Sequence, residues 1–270
     1  MLLDTKTVEK PWGKDQLPAP FETPADKRIG EIWFVPPPAL PQLLVKYIFT
    51  SEKLSVQVHP SDAQTEAAGL GRQGKEECWL VIDAEPGAVL GIGFEREVSA
   101  EAMRAAALDG SIEDRLVWHP VTPGDFFYIP ANTVHAIGGG VSIIEIQQNS
   151  DITYRLYDYG RPRELHLEEG IGVAKGQPHD KACWKHIPER GDATLVTGPY
   201  FRLDRIDGEP AEAIAAKYDG PLLVIPREGL ATVEGERVAP GECALAPSLA
   251  DVTFAERGSC LIAQPIAGAR

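Results

Sequence analysis

The sequence lacks the features that would direct it to a membrane or to nucleic acid. Its 270 residues contain no apolar run long enough to span a bilayer, and its first residues lack the charged-then-apolar pattern of a signal peptide. The formal charge of −14 leaves no basic field for nucleic acid or for an anionic membrane surface. We therefore expect a cytoplasmic protein with no nucleic-acid or membrane partner, although a small phosphorylated ligand would need only a few local cations.

Cysteine is scarce, and its few positions are scattered. The four cysteines lie at positions 78, 183, 243 and 260, and no Cys-x-x-Cys pair occurs. This spacing argues against a disulfide framework and against a thiolate zinc site. It favours isolated, mostly buried thiols without a chemical role.

Glycine and proline are plentiful, with 26 and 23 residues, and they separate short apolar runs. These runs are rich in β-branched and aromatic residues, which predicts short strands. The best helical segment is Ser99–Leu108, with Ser99 as its N-cap and Asp109-Gly110 as its stop, and a shorter helix is predicted after Asp62. Many short strands favour a β-barrel or a double-sheet jelly roll over βαβ units. The predicted strands cover residues 43–49, 54–58, 78–82, 116–120, 126–129, 141–146, 153–157, 200–206, 221–226, 231–233, 243–246, 252–255 and 260–263.

One short pattern occurs once in each half of the chain. Pro123-Gly124-Asp125 precedes a predicted strand that is followed by Pro130. Pro240-Gly241-Glu242 precedes a second one that is followed by Pro247. This weak internal repeat predicts two barrels of one kind, and the second has no histidine in the equivalent place.

The character of the chain changes between residues 160 and 195, which is typical of a linker or crossover. We therefore predict a first barrel over residues 1–165 that carries any metal site and any chemistry. Residues 166–270 are predicted to form a linker and a second, metal-free barrel.

Two predicted strands place polar side chains on one face. Ser55, Gln57 and His59 share a face because side chains alternate along a strand. Lys75 and Glu77 share a face in the same way. Each pattern taken alone also fits a strand with one face in solvent, since lysine and glutamate are usually exposed.

A third motif is a turn that leads to a histidine. Gly124, five residues, Pro130 and four more residues precede His135, a spacing that resembles a signature of the cupin barrels. Asn132 stands where that signature usually has glycine, and asparagine tolerates a left-handed backbone better than most residues. A lone histidine is more often structural, but this spacing favours a ligand that points into a barrel.

Gln57, His59, Glu77 and His135 together form a mixed set of nitrogen and oxygen donors. Zn²⁺ suits such a set, and Mn²⁺, Co²⁺ or Fe²⁺ are compatible by the same ligand preferences. Four protein ligands would leave one position for water or a substrate.

A polar run follows the histidine turn. Glu145 lies on a predicted strand, and Arg155 lies on the next one. A planar, permanently charged guanidinium is suited to clamp a phosphate or another oxyanion. The alternative is that Arg155 forms an ordinary ion pair with Asp151 or Asp158.

These motifs, in this order, resemble those of the mannose-6-phosphate isomerases in their short bacterial form. The resemblance is strong over about the first 165 residues and includes Pro11-Trp12-Gly13 and Gly30-Glu31-Ile32-Trp33. It implies an all-β fold of cupin-type jelly-roll barrels, two in number with the second degenerate, and a few short helices. We expect the two tryptophans of these motifs, Trp12 and Trp33, to pack in the core, with a place in a substrate cleft as the alternative.

The resemblance further implies an isomerase that interconverts mannose 6-phosphate and fructose 6-phosphate through a cis-enediol. It implies zinc on the four donors above, catalytic roles for Lys75, Glu145 and Arg155, and substrate contacts from Ser55, Lys75 and Arg155. One alternative is an iron-dependent cupin oxygenase, whose sites usually carry two histidines one residue apart where this chain has Gln57 first. The other is a non-catalytic sugar-binding cupin.

Overall fold

Short strands make up most of the protein. Residues 1–266 are described by a computed structural model, and they contain 20 strands and five short α-helices. None of these helices has the length and apolar character that a membrane crossing requires. The helices are α1 (Asp62–Ala67), α2 (Ala100–Asp109), α3 (Ile112–Arg115), α4 (Leu167–Val173) and α5 (Glu212–Ala215).

The strands fall into two groups along the chain. The first group is β1 (Thr5–Lys14), β2 (Ile29–Phe34), β3 (Leu43–Phe49), β4 (Val56–Val58), β5 (Glu77–Ala84), β6 (Val89–Phe94), β7 (Leu116–Pro120), β8 (Asp125–Ile129), β9 (His135–Ile137), β10 (Val141–Gln148), β11 (Tyr154–Tyr157) and β12 (Trp184–His186). The second is β13 (Ala193–Thr197), β14 (Phe201–Asp207), β15 (Leu222–Glu228), β16 (Ala231–Val233), β17 (Glu236–Val238), β18 (Ala244–Ala246), β19 (Val252–Phe254) and β20 (Ser259–Pro265).

Each group forms two antiparallel sheets. A seven-stranded sheet, in the order β1-β2-β3-β10-β5-β8-β12, packs against a five-stranded sheet in the order β11-β4-β9-β6-β7. The later strands form a five-stranded sheet, β13-β14-β20-β15-β18, and a three-stranded sheet, β17-β16-β19. The predicted double-sheet architecture is confirmed.

The sequence pattern missed strands whose apolar signal is either weak or interrupted. Strand β1 is mostly exposed and contains Pro11, so it lacks an apolar run although it pairs with β2 at the edge of the sheet. Strand β6 is almost wholly buried, but Gly91 and Gly93 interrupt its pattern. In both strands the pairing partner, rather than the local sequence, decides the structure.

Strand β12 lies inside the segment predicted as a linker and completes the first group of strands. It pairs with β8, so the first two sheets use residues up to His186 and the other two begin at Ala193. One apolar cluster contains residues of both groups, including Phe34 and Tyr47 of the first and Leu203 and Leu261 of the second. The division of the chain at residue 165 stays a prediction.

The predicted long helix is confirmed. Ser99 caps α2 by accepting a hydrogen bond from the backbone N–H of Ala102 at 3.2 Å, and Gly110 ends the helix with a φ of 85°. All four cysteines are free, and three of them are buried, as their scattered positions predict.

Candidate metal centre and adjoining cleft

Three predicted ligands meet between the two sheets of the first group. His59 follows β4, Glu77 begins β5 and His135 begins β9, and each is at most 1% exposed. The Glu77 Oε1 atom lies 3.3 Å from His135 Nε2 and 3.6 Å from His59 Nε2. One possible ligand atom from each residue therefore lies within 4.8 Å of the others.

The other ring nitrogen of each histidine is held by a backbone carbonyl. His59 Nδ1 lies 2.8 Å from the oxygen of Ile152, and His135 Nδ1 lies 2.9 Å from the oxygen of Thr133. A carbonyl oxygen can only accept, so each Nδ1 carries the proton and each Nε2 presents a lone pair toward Glu77. Such outer hydrogen bonds are what orients a histidine for metal binding.

The protonation states also suit a metal centre. Burial lowers the pKa of His59 to about 4 and lowers the pKa of His135, and the positive charge of Lys75 acts in the same direction on both. Burial would raise the pKa of Glu77, but Lys75 and the two histidines outweigh it and hold that pKa well below its usual range. Two neutral imidazoles and a carboxylate are the forms in which these groups bind metals.

The cluster leaves two buried acceptor atoms unsatisfied. His59 Nε2 and Glu77 Oε1 make no hydrogen bond among the described residues, although both are buried. Facing acceptors in a dry site are unfavourable unless a cation lies between them. The residues present therefore fit a divalent cation, and two nitrogens and one carboxylate oxygen are a donor set typical of Zn²⁺.

Gln57 lies beside this cluster. Its Nε2 atom is 3.3 Å from His135 Nε2, and its Oε1 atom accepts a hydrogen bond from the Ser55 hydroxyl at 3.1 Å. The register of β4 and β9 places Gln57 directly opposite His135. Its role as a fourth ligand stays a prediction.

The histidine turn is built as its sequence predicts. Asn132 has a φ of 73°, and its backbone N–H donates to the carbonyl oxygen of His59 at 2.8 Å. Its side chain also donates to Gln64 of α1 at 2.6 Å. Asn132 thus connects the segment that carries His59 to the turn that leads to His135.

A buried lysine joins the cluster to Glu145. Lys75 is 5% exposed, and its Nζ atom lies 2.8 Å from Glu77 Oε2 and 3.8 Å from Glu145 Oε1. The Oε2 atom of Glu145, which lies on β10, accepts a hydrogen bond from Trp79 Nε1 at 3.0 Å. Buried charges persist only when they are paired, and this pairing fixes both carboxylates next to one ammonium group.

These groups open onto a cleft of about 450 Å³. Five of the predicted site residues line it: Ser55, Gln57, Lys75, Glu145 and Arg155.

Arg155 faces the cleft without a carboxylate partner. The register of β11 and β4 places it opposite Gln57, and its Nε atom is buried without a hydrogen bond among the described residues. The predicted alternative of an ion pair does not form with Asp158, which instead binds Arg161 and Arg163. Burial, together with the charge of Arg163, lowers the pKa of Arg155.

Sequence reasoning missed a second buried lysine in the cleft. Lys46 lies on β3, is 5% exposed, and donates to Glu145 Oε1 at 3.1 Å and to Gln147 Oε1 at 2.6 Å. A signal was present, because Lys46 is the one charged residue within the apolar run Leu43–Phe49. A charged residue in the middle of a buried strand requires a polar partner.

The two tryptophans behave differently from each other. Trp12 is 2% exposed and packs in the core, as predicted, although it also borders the cleft. Trp33 is only partly buried and lines the cleft, where the ammonium group of Lys46 lies 4.5 Å from its ring centroid. Its indole N–H donates to Glu31 at 2.7 Å. The prediction of core packing is wrong for Trp33, because a ring with a polar edge can border a wet cleft.

Curated relatives share much of this sequence. A mannose-6-phosphate isomerase of Streptococcus mutans is 41% identical over 169 residues, which are 60% of this chain and 53% of that protein. The chain spans between about half and two thirds of the length of the curated relatives it matches. No protein-family profile matches the chain.

Solved structures share the fold over nearly the whole chain. The crystal structure of the mannose 6-phosphate isomerase from Bacillus subtilis superposes with a TM-score of 0.79 at 25% identity, covering 97% of this chain and 98% of that one. A zinc-bound mannose 6-phosphate isomerase superposes with a TM-score of 0.71 at 14% identity, covering 98% of both chains. The fold and the cluster together define a cupin-type protein with a metal-binding centre. The resemblance inferred from the sequence is confirmed, and the chain is homologous to the mannose-6-phosphate isomerases.

Proposed function

We propose that this protein is a metal-dependent isomerase that interconverts mannose 6-phosphate and fructose 6-phosphate. One observation carries the proposal: a buried cluster of two histidines and a glutamate adjoins a cleft lined by Lys75, Glu145 and Arg155. Aldose–ketose isomerisation needs groups to move a proton, a cation to stabilise the enediolate and an anchor for the phosphate. The cleft offers candidates for all three.

His59, Glu77 and His135, with Gln57 as a fourth donor, would hold Zn²⁺ at the base of the cleft. Bound there, the ion would supply an electrophile that stabilises negative charge on the sugar oxygens. The two neutral imidazoles and the buried carboxylate support this assignment, as does the pair of unsatisfied acceptor atoms. Mn²⁺, Co²⁺ and Fe²⁺ fit the same donors by ligand type.

Glu145 is our first choice for the base that removes the proton from C2 of the open-chain sugar. Lys46, Lys75 and Trp79 surround its carboxylate, and their contacts fix its position beside the cleft. Lys75 lies beside it and is our choice for the second proton-transfer group, because its ammonium contacts both buried carboxylates. Loss of the C2 proton would give an enediolate, and a proton on O1 would make it a cis-enediol. Loss of the O2 proton and return of a proton to C1 would complete the change from aldose to ketose.

Arg155 is our choice for the anchor that holds the phosphate or the developing oxyanion. Within residues 1–266 its Nε atom is buried without a hydrogen bond, and no carboxylate forms an ion pair with it that a substrate would need to displace. Ser55 also borders the cleft and could contact the sugar. A cleft of about 450 Å³ lies within the range that small-molecule sites occupy.

A coupled isomerase assay tests the proposal. The purified protein would be assayed with mannose 6-phosphate as isolated, after treatment with a chelator, and after separate addition of Zn²⁺, Mn²⁺, Co²⁺ or Fe²⁺. We expect activity that disappears with the chelator and returns with one of these metals. A fully metal-loaded protein without isomerase activity would refute the proposal. Unchanged activity after chelation would also refute it, provided that metal analysis confirms that the metal has been removed.

We also propose that the protein acts in the cytoplasm. Its four free cysteines suit a reducing compartment. The measurement is fractionation of the native host, with the protein expected alongside soluble cytoplasmic markers.

A further inference from the structure

A second cavity lies on the far side of β5, between the two groups of strands. Its volume is about 600 Å³, and it shares no lining residue with the cleft that adjoins the metal centre. Leu80, Val81 and Ile82 of β5 form an apolar wall. The opposite side comes from the loop after β12 and from strands β14, β15 and β20.

The polar side of this cavity is basic, although the chain carries a net charge of −14. Arg190, Arg205 and Arg227 all line it. Arg190 is exposed at the rim and lies 3.5 Å from Asp207 and 3.8 Å from Glu228, so acidic neighbours already balance its charge. Neither of the other two arginines forms an ion pair within residues 1–266, although Arg205 is close enough to Asp207 for its charge to act on that carboxylate.

Arg205 is 7% exposed and has a donor to spare. Its two terminal nitrogens donate to the backbone oxygens of Pro188 and Gly191, which shapes the loop between β12 and β13. Its Nε atom is buried without a hydrogen-bond partner among the described residues. Neutral carbonyls orient the guanidinium but do not cancel its charge, and Asp207 acts on it only from beyond ion-pair distance.

Arg227 comes from β15 and is half-buried beside the hydroxyl of Tyr47. Burial raises the pKa of Tyr47, and the nearby charge of Arg227 opposes that rise. Within residues 1–266, no carboxylate lies within the 4.0 Å of an ion pair from Arg227. Two guanidinium groups that form no ion pair within the described residues therefore line one recess, which Glu189 and Glu228 also line.

We propose that this cavity is a second ligand site, which binds a small phosphorylated metabolite through Arg205 and Arg227. A guanidinium presents planar pairs of N–H donors that match a phosphate group, and its charge stays fixed at any working pH. The apolar wall of β5 would cover the remainder of the ligand. The volume of about 600 Å³ leaves room for a group larger than the phosphate itself. This inference does not depend on the proposed isomerase activity.

Hydrogen exchange of the intact protein tests the site with pyrophosphate as the probe. Bound pyrophosphate should slow exchange of the backbone amides of residues 187–191, because Arg205 holds that loop against the cavity. Citrate serves as the carboxylate probe and should protect this loop less. Protection confined to β4 and β11 would overturn the proposal, because those strands border only the cleft. Stronger protection by citrate would overturn the assignment to phosphate.

Paired variants separate this site from the cleft. Arg227→Gln should weaken pyrophosphate protection of residues 187–191 at least tenfold while leaving protection at the cleft unchanged, and Arg155→Gln should do the reverse. Arg237→Gln, an exposed arginine on the β17 hairpin, is the control for the loss of one charge. If Arg227→Gln fails to fold, the wild-type exchange pattern with the two probes still decides the question. Equal protection in Arg227→Gln and wild type would refute the site.

Discussion

The two groups of strands use the same turn but place different residues after it. In the first, the backbone N–H of Asp125 donates to the Thr122 oxygen at 3.1 Å, and its carboxylate accepts from the Thr122 N–H at 2.8 Å. In the second, Glu242 makes the same two bonds with Ala239, at 3.0 and 2.7 Å. Proline and a glycine with φ of 95° or 89° occupy the middle of each turn, which is the type II arrangement.

The two groups of strands carry different residues at the fifth position after the proline that follows each turn. His135 begins β9 at that position, and Val252 begins β19 at the matching one. His135 contacts Glu77, whereas Val252 packs in an apolar cluster with residues such as Phe254. The same turn therefore leads to a candidate metal ligand in one group of strands and to an apolar core residue in the other.

The largest effect is expected when His135 is replaced by valine, the residue at the matching position of the second group. His135→Val should lower metal content below a tenth of the wild-type value, because it removes one of three clustered ligands. Isomerase activity should fall by about a thousandfold or more, since metal catalysis is lost with the ion. Metal analysis and kcat/KM measure both effects. Val252→Ala is the control, and it should keep the metal while losing about 1 kcal/mol of stability.

A second change affects proton transfer without affecting the metal. Glu145→Gln should keep full metal content while kcat falls by about 10²–10⁴, as the loss of a general base usually produces. Lys75→Ala should likewise keep the metal and lower kcat by orders of magnitude. Near-normal turnover in either variant would remove that residue from the mechanism.

Glu76→Gln is the matched control for these two variants. Glu76 follows Lys75 directly, but its carboxylate accepts a hydrogen bond from Tyr128, a residue that does not line the cleft. Loss of the Glu76 carboxylate should leave kcat near the wild-type value. A collapse of activity in Glu76→Gln would show that any charge change in this segment disturbs the site.

Acid should destabilise the two groups of strands unequally. The metal-free protein should lose about 3 kcal/mol of stability as the pH falls from about 6.5 to 4, because the pKa of His59 is about 4 when folded and near 6.5 when unfolded. The unfolded chain binds more protons between these values, and this group adds no further loss below them. All six histidines lie at or before residue 186, so the effect should concentrate in β1–β12.

Native-state hydrogen exchange at pH 7 and pH 5 locates this effect. After correction for the slower intrinsic exchange of amides at pH 5, protection should fall in β4 and β9 well before it falls in β14 and β20. Saturating Zn²⁺ should move the change to lower pH, since protons and metal compete for the same nitrogens. An equal loss of protection in both groups of strands would contradict the assignment of this effect to His59.

The smallest effect distinguishes the two turns themselves. Gly124→Ala and Gly241→Ala should each lose about 1–2 kcal/mol, because both positions have positive φ. Gly241→Ala should lose more, since the new methyl would lie 2.6 Å from the Pro20 ring, while at Gly124 it would meet the His186 ring at 3.1 Å. Urea unfolding of the two variants measures the difference. Equal losses would indicate that the Pro20 segment moves aside freely.

Much of the candidate site could be predicted because its residues come in short, spaced motifs. The spacing from Gly124 to His135 predicted both the turn and its left-handed Asn132, and the alternation along β4 placed Gln57 and His59 on one face. Lys46 was missed as a cleft residue, and core packing was preferred over the cleft for Trp33, because each lies in an apolar or aromatic stretch typical of a buried strand. Their polar role arises only when β2, β3 and β10 lie side by side.

The sequence by itself determined the all-β character and the histidine turn and supplied the candidate donors, because turn residues and alternation act over a few neighbours. Only the tertiary structure decided that His59, Glu77 and His135 meet at one point. It placed Lys75 between two carboxylates. It also placed Arg205 and Arg227 around a cavity between strands far apart in sequence. Such contacts depend on how sheets pack against each other, and a local pattern carries no information about that packing.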